Sequence, residues 1–465
     1  MIAITAAAAL LIGNCDAATR PNISLHPDNP QYFLFRGIPT VLITSAEHYG
    51  AVLNLDFPHK PYLDELKRSR MNYTRIFTGA YCENPKEFNI QHNTLAPAEG
   101  KLICPWARSE QSGYAMGGAK FDLTKWDEAY FARLKSFIKE AGRRGIVVEI
   151  AMFCTFYSDS LWKLSPMHIT NNVNGVGEAV YTDVCTLKHP DLTRVQEAMT
   201  KKIVSELKDF DNVIYEICNE PYFNGVTLEW QKHIAAVIVE TETAFPTRHL
   251  IAQNINNGTK RVTNPDPNVS ILNFHYAYPP VAIADNRSFK GVIGCDETGF
   301  KGQADSPYME EGWEFILAGG GLYNNLDYSF TAGAPDGTEK VVAPTPGGGG
   351  KTLRMGLSVL KKFIEGFDFV RMHPDERIHE ANSHGEITVQ ALSEPGRQYA
   401  VYVRGGTRAT LNIDLPRGDY METWLNTKTG KQIGSEKLSH PGGVTALNSP
   451  SYDIDIALSI KAVHD

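Results

Sequence analysis

Apolar and polar positions alternate along this chain in two different ways, and the change falls near residue 369. Before it, short apolar runs rich in Val, Ile, Phe and Tyr trade places with longer stretches whose apolar residues recur every three to four positions. The short runs predict strands at about 40–45, 72–77, 146–153, 212–218, 249–253, 270–274, 291–295 and 321–326. The longer stretches predict amphipathic helices. "KWDEAYFARLKSFIKEAGRRG" places Leu134, Phe137, Ile138 and Ala141 on one face, and "LTRVQEAMTKKIVSELKDF", "TLEWQKHIAAVIVETETAF", "SPYMEEGWEFILAGG" and "TLRMGLSVLKKFIEGF" follow the same period. A further strand-like run, "YFLFRGIPTVLIT", breaks at Arg36-Gly37 and reads as a hairpin leading into the first strand. After residue 369 the period is two, with Gly, Pro or Asn between the runs.

Eight strands alternating with helices predict a parallel α/β architecture, and a (β/α)8 TIM barrel over residues 30–368 leaves no strand edge unpaired. A doubly wound sheet is the alternative; it would carry a Gly-rich phosphate turn after its first strand, where "LITSAEHYG" has none. The second region, 370–465, predicts an antiparallel β-sandwich that serves as an accessory domain. Its one tryptophan, Trp424, sits in strand-like sequence, which favours a structural role.

The chain has 465 residues, 42% hydrophobic and 21% charged, with a net charge of −8. A core of that size needs no metal or disulfide to hold it. Without a long basic run, nucleic acid and anionic membrane are poor partners. Residues 1–18 combine an apolar run with small residues near Cys15 and read as a signal peptide without a basic start, so the protein is expected to be secreted or periplasmic, and cytoplasmic if this run is not a signal. No other segment is long enough to insert in a membrane. Seven cysteines show neither CxxC spacing nor an even count, so no zinc site is expected; Cys82 and Cys104 share a long loop and are the pair to examine for a bond in an exported protein.

Candidate chemistry lies at the C-terminal ends of the strands, where a barrel carries its site. Arg75 lies near the end of strand two, Asn219-Glu220 ends strand four, His275-Tyr276 ends strand six, Asp296-Glu297 ends strand seven, and Asp327-Tyr328 follows strand eight. Two carboxylates on different strands suit glycoside hydrolysis, one as proton donor and one as nucleophile. Arg75 and Tyr276 are placed to hold a neighbouring carboxylate ionised, His275 to exchange protons or hydrogen bonds with the acid, and Asn219 to bind a sugar hydroxyl. Glu216 points to the same side as Glu220 but deeper, and reads as a barrel-interior support residue partnered by an arginine. Two loops, 78–123 and 155–189, are long enough to be functional and carry Tyr81, Trp106, Tyr114, Phe156, Tyr157, Trp162 and Tyr181, a group expected to contribute to a ligand groove. "PTPGGGGKT" lacks the glycine spacing of a phosphate loop and reads as a turn over the barrel mouth; no HExxH or Gly-x-Ser-x-Gly motif is present.

Asn219-Glu220-Pro221 at the end of strand four, with Glu297 in "VIGCDETGF" ending strand seven, resembles the retaining glycoside hydrolases of clan A, nearest to family 5. The resemblance covers the barrel and implies Glu220 as acid/base, Glu297 as nucleophile, Arg75, Asn219, His275 and Tyr276 in support, a carbohydrate substrate with β-linkages, and no cofactor or metal. The C-terminal strands look like the small β-domain fused to such barrels and named for collagen binding, a likeness of architecture. Three features depart from the family. His275-Tyr276-Ala277-Tyr278 leaves either Tyr276 or Tyr278 facing the nucleophile. "YNNLDYSF" offers Asp327 and Tyr328 where the family has a tryptophan. Strand one ends in Glu47-His48-Tyr49, which the family pattern does not assign. Glu47, His48, Trp106, Trp162, Tyr278, Asp327 and Tyr328 are therefore the expected substrate contacts, with Glu47 and Asp327 alternatively supporting Arg75 or a histidine. The other class of reading is a carbohydrate-binding protein on a barrel that has lost catalysis.

Overall fold

The computed structural model describes residues 21–381 and 387–463, so the proposed signal segment lies outside the described residues. Eight parallel strands, Leu42–Ala46, Tyr73–Phe77, Val147–Cys154, Val213–Asn219, Leu250–Asn257, Ile271–His275, Val292–Glu297 and Leu322–Leu326, form one sheet in the order one-eight-seven-six-five-four-three-two. Strands one and two meet at a seam that a side chain bridges. Asn72 Oδ1 accepts from the Ile43 amide at 2.9 Å, and its Nδ2 donates to the Val41 carbonyl at 2.8 Å. The result is a TIM barrel whose strands are buried on both faces, which is why they read as continuous apolar runs.

The predicted hairpin is Phe33–Phe35 paired with Ile38–Thr40. Its two turn residues, Arg36 (φ 54°) and Gly37 (φ 78°), both have the positive φ that a two-residue hairpin turn requires. With Ser24–Leu25 it makes a small sheet under the barrel. Ile23, Phe33 and Phe35 pack there against Leu42, Tyr73, Val147, Ile214, Ile271, Val292 and Leu322, the lower ends of the barrel strands. Arg36 pins the hairpin to Asp211 through two bonds of 2.7 and 2.8 Å.

The helix predicted from Lys125 begins at Glu128, because Ala119–Trp126 is a strand paired with Trp106–Ser112. The first long loop thus carries a β-hairpin that the sequence reading did not foresee. Asp127 caps the helix, accepting from the amides of Ala129 and Tyr130. The predicted face, Leu134, Phe137, Ile138 and Ala141, is fully buried. Cys82 and Cys104 are both free thiols. The glycine run before helix Lys351–Ile364 is a close approach: a Cβ on Gly349 would meet Asp327 Oδ1 at 2.1 Å, and one on Gly347 the Gly299 carbonyl at 2.1 Å.

Beyond the barrel, a six-stranded antiparallel sheet (Thr388–Glu394, Gln398–Arg404, Asp455–Ala462, Gly418–Leu425, Gln432–His440 and the short His373–Pro374) faces a three-stranded one (His379–Glu380, Thr410–Leu415, Gly443–Asn448). Val401, Val403, Leu411, Ile413, Trp424, Ile456 and Leu458 fill the space between them. Gly443–Asn448 is a strand beyond those predicted; its residues are mostly exposed and follow Pro441-Gly442, so it lacks the apolar alternation of the others. The sandwich docks on helix Ser306–Leu317: Trp313 stacks on Tyr402 with ring centroids 5.4 Å apart, and Arg404 Nε bonds Glu314 at 2.7 Å. No helix among the described residues is long and apolar enough to cross a membrane.

Candidate active site

Glu297 closes strand seven and is received by donors on both oxygens. The Tyr276 hydroxyl donates to Oε1 at 2.5 Å, the Tyr49 hydroxyl to Oε2 at 2.6 Å, and Arg75 Nη1 stands 3.6 Å from Oε2. Tyr276, and not Tyr278, is therefore the tyrosine on Glu297. Glu220 follows strand four across the mouth. Its Oε1 accepts from Tyr222 and from His275 Nδ1, each at 3.1 Å, and its Oε2 accepts a short bond from Tyr157. Three residues here, Tyr49, Glu220 and Tyr276, hold φ between 48° and 63°, a region costly for side chains with a Cβ. That strain turns each side chain from its strand end into the cleft.

His275 links the two carboxylates. Its Nδ1 lies 3.1 Å from Glu220 and 3.5 Å from Glu297, and its Nε2 lies 3.4 Å from Asp296. Burial works against an imidazolium, but the charges of Glu297 and Asp296 outweigh it and raise the His275 pKa well above its ordinary value. Burial likewise works against the Glu220 carboxylate, yet the hydrogen bond and charge of His275, with Tyr157 and Tyr222, bring its pKa below the ordinary value. In the free site the proton of this pair rests on His275.

A charged layer supports the mouth from inside the barrel. Arg75 lies mid-strand and grips Glu216 at 2.6 and 2.5 Å, Asn219 Oδ1 at 2.7 Å, and approaches Asp296 at 3.4 Å. Its guanidinium also sits 4.6 Å from the Tyr49 ring centroid. Glu149, Glu216 and Asp296, all fully buried, bring carboxylate oxygens within 4.8 Å of one another. Burial, then the charges of Glu216 and Asp296, push the Glu149 pKa well up and favour its neutral form. Asn273 Nδ2 donates to it at 2.8 Å. The Arg75–Glu216 pairing is the one the strand alternation implied. Glu149 was missed; a lone glutamate inside "IVVEIAMF" was its only signal.

The cleft above these groups encloses about 310 Å³ and is lined by His48, Tyr49, Phe77, Glu83, Phe88, Leu95, Cys154, Tyr157, Asn219, Glu220, Phe223, Asn257, Tyr276, Glu297 and Phe300. Of the seven expected substrate contacts, His48 lines it. Tyr328 stands behind His48, ring centroids 5.9 Å apart. The other five lie elsewhere. Glu47 is turned back into its own loop, accepting from the Gly50 and Ala51 amides and from Thr94. Asp327 is bound by Arg354 at 2.6 Å, Ser45 at 3.0 Å and the Gly350 amide at 3.0 Å, so it supports neither Arg75 nor a histidine. Trp106 is fully buried in the loop hairpin, and Trp162 is fully buried against Phe156 with its indole N–H on the Ala179 carbonyl. Tyr278 turns toward the sandwich, with Lys301 Nζ 4.2 Å and the Arg404 guanidinium 5.6 Å from its ring centroid. Of the seven long-loop aromatics expected at the groove, only Tyr157 lines the cleft; which of them face it depends on backbone turns that side-chain type does not encode.

Glu220, His275 and Glu297 bring one donor atom each within 4.8 Å of one another, a spacing that a metal ion also uses. Here tyrosine hydroxyls already donate to both carboxylates that face that space. The set fits acid–base and nucleophilic chemistry on an uncharged bond.

A parallel barrel with two buried glutamates facing each other at its C-terminal mouth is the architecture of a glycoside hydrolase. The family model described as Cellulase (glycosyl hydrolase family 5) matches residues 50–316, more than half of the chain, and the protein belongs to that family and is a glycoside hydrolase. Among solved structures, a glycoside hydrolase family 5 protein from Bacteroides vulgatus superposes with a TM-score of 0.65 at 14% identity, covering 95% of this chain and 93% of that one. Another, described as a glycoside hydrolase, gives 0.63 at 14% identity over 95% and 97%. At such identity these likenesses speak for the fold, sandwich included. A search of curated proteins by sequence finds no match.

Proposed function

We propose that this hydrolase cleaves β-glycosidic bonds of a poly- or oligosaccharide with retention of anomeric configuration, Glu297 acting as nucleophile and Glu220 as acid/base. The observation that carries the reading is the spacing of the pair. An oxygen of Glu220 and an oxygen of Glu297 lie within 4.8 Å. Retaining enzymes hold their carboxyls about 5–5.5 Å apart, whereas inverting enzymes leave about 6.5–9.5 Å for a water.

In the first step Glu220 protonates the glycosidic oxygen as the bond to the anomeric carbon breaks, and a Glu297 oxygen attacks that carbon to form a glycosyl ester. In the second, Glu220, now a carboxylate, takes a proton from water as the water displaces Glu297. Tyr276 and Tyr49 fix the direction of the Glu297 oxygens and take up the negative charge that returns when the ester breaks. The proton that rests on His275 in the free site must reach Glu220 once sugar enters. Excluding water disfavours the separated charges of that pair and drives the transfer across their 3.1 Å bond. Proton NMR of the first-released anomer tests the reading: a β-glycoside should yield the β-anomer first, and an α-anomer would reject it.

A further inference from the structure

Tyr157 lies just beyond strand three, lines the cleft, and donates its hydroxyl proton to Glu220 Oε2. The groups behind it decide where that proton points. Arg75 can only donate. Its Nη2 stands 2.7 Å from one end of the Asn219 amide, so that end is the oxygen. The amide nitrogen then faces the other way, 3.1 Å from the Tyr157 oxygen and 3.3 Å from Cys154 Sγ. An amide nitrogen only donates, so the Tyr157 oxygen accepts there and its single proton is left for Glu220. Arg75 is itself gripped by Glu216. The line Glu216–Arg75–Asn219–Tyr157–Glu220 therefore has one polarity, from the barrel interior to the acid/base.

The Tyr157 ring is held apart from its hydroxyl. Phe88 meets it edge-on with centroids 5.2 Å apart, and Phe223 and Tyr81 stand 6.1 and 6.2 Å away. Phe88 reaches it from a strained turn in which Lys86, Phe88 and Asn89 hold φ of 63°, 51° and 65°. Tyr222, the other tyrosine at Glu220, is not committed in this way. Its one proton is divided between Glu220 Oε1 at 3.1 Å and Asn257 Oδ1 at 2.5 Å.

We propose that Tyr157 is a positioning residue for the proton-donation step, acting through Glu220: it keeps Oε2 as an acceptor while Oε1 takes the proton from His275, and its hydrogen bond strengthens as the acid becomes a carboxylate. The inference deepens the retaining reading and rests on it. With sugar bound, Glu220 is neutral and Tyr157 bonds a carbonyl-like oxygen. When the proton passes from Glu220 to the glycosidic oxygen, Oε2 takes up part of the new negative charge. The same hydrogen bond then becomes charge-assisted and roughly twice as strong. An interaction that is stronger in the transition state than before it lowers the barrier. Tyr157 should therefore matter most where the leaving group needs a proton, and least where it departs without one.

The test uses the full chain and the phenyl and 2,4-dinitrophenyl β-glycosides of the sugar that the wild type releases from a panel of neutral, acidic and branched glycans. Phenolate needs the proton and dinitrophenolate does not. Tyr157→Phe keeps the ring and its packing, so its thermal midpoint should stay near wild type. Its kcat/KM should fall about 10–100-fold on the phenyl glycoside, the range for a hydrogen bond to a charged group. On the dinitrophenyl glycoside it should stay within about 3-fold, because the bond is not called on there. Tyr222→Phe should lose less on the phenyl glycoside than Tyr157→Phe does. A loss equal on both glycosides, no loss on either, or a larger loss in Tyr222→Phe would overturn the inference and leave the hydrolase intact. If the wild type cleaved no glycan of the panel, the retaining reading would fall and this inference with it.

Discussion

The two ends of the barrel are made by the same eight strands and have opposite interiors. At the lower end Ile23, Phe33 and Phe35 seal the strands with an apolar plug. At the upper end Arg75, Glu149, Glu216, Asp296 and His275 are just as completely buried but are charged or titratable. Burying apolar area stabilises a fold, at about 25 cal/mol per Å². Burying charge costs several kcal/mol per ion unless each is paired. The lower end stabilises the fold, and the upper end holds Glu220 and Glu297 in fixed positions at a cost that the lower end offsets.

Removing the reacting groups at the upper end has the largest effect on turnover. Glu220→Gln should lower kcat about 10²–10⁴-fold, the usual range for a general acid/base, and Glu297→Gln should lower it further, with circular dichroism and thermal midpoint close to wild type. Next comes the support beneath them. Arg75→Leu leaves Glu216 without its cation and Asp296 with His275 alone, and should destabilise the protein by about 3–5 kcal/mol in denaturant unfolding. Phe33→Ala at the opposite end should cost a comparable or smaller amount, about 3 kcal/mol, but KM and kcat measured below the melting transition should not move. A change in KM with Phe33→Ala would mean that the two ends are not independent.

Smaller still is the effect of pH. Glu220 is depressed, so its contribution to stability is present above its unfolded pKa and is lost as pH falls through its folded value. His275 is raised, so its contribution is complete below its unfolded pKa and is lost as pH rises through its folded value. Between those limits the pair keeps one proton, and the alkaline limb of kcat/KM should lie above the ordinary histidine range. His275→Asn takes away the site where that proton rests, and the limb should move at least about one pH unit lower, a change worth about 1.4 kcal/mol. Smallest is Trp162→Phe. Losing one indole hydrogen bond should cost about 1 kcal/mol and leave KM within about 2-fold, since Trp162 packs under the loop and does not line the cleft.

The barrel was legible in the sequence because its strands are buried on both faces and its helices on one, so period and length separate them. The partnership of Glu216 with an arginine was legible too, because side chains alternate along a strand. Glu47 and Asp327 were misplaced for a local reason: each follows a strand end, but the loop after it turns the carboxylate onto backbone amides or a buried arginine. Trp106 was misplaced because the long loop folds into a hairpin whose apolar residues join the barrel's main core. Tyr49, Glu83, Tyr157, Phe223 and Phe300 reach the cleft through loop conformation, and the site depends on a positive φ at Tyr49, Glu220 and Tyr276 that residue type does not announce.

The central claim, that Glu297 bonds to the sugar, is tested most directly by trapping it. A 2-deoxy-2-fluoro glycosyl fluoride of a cleaved β-glycoside, followed by peptide mapping, should place one sugar per chain on the peptide containing Glu297. An adduct on a different carboxylate, or turnover of the fluorosugar with inversion, would contradict the account.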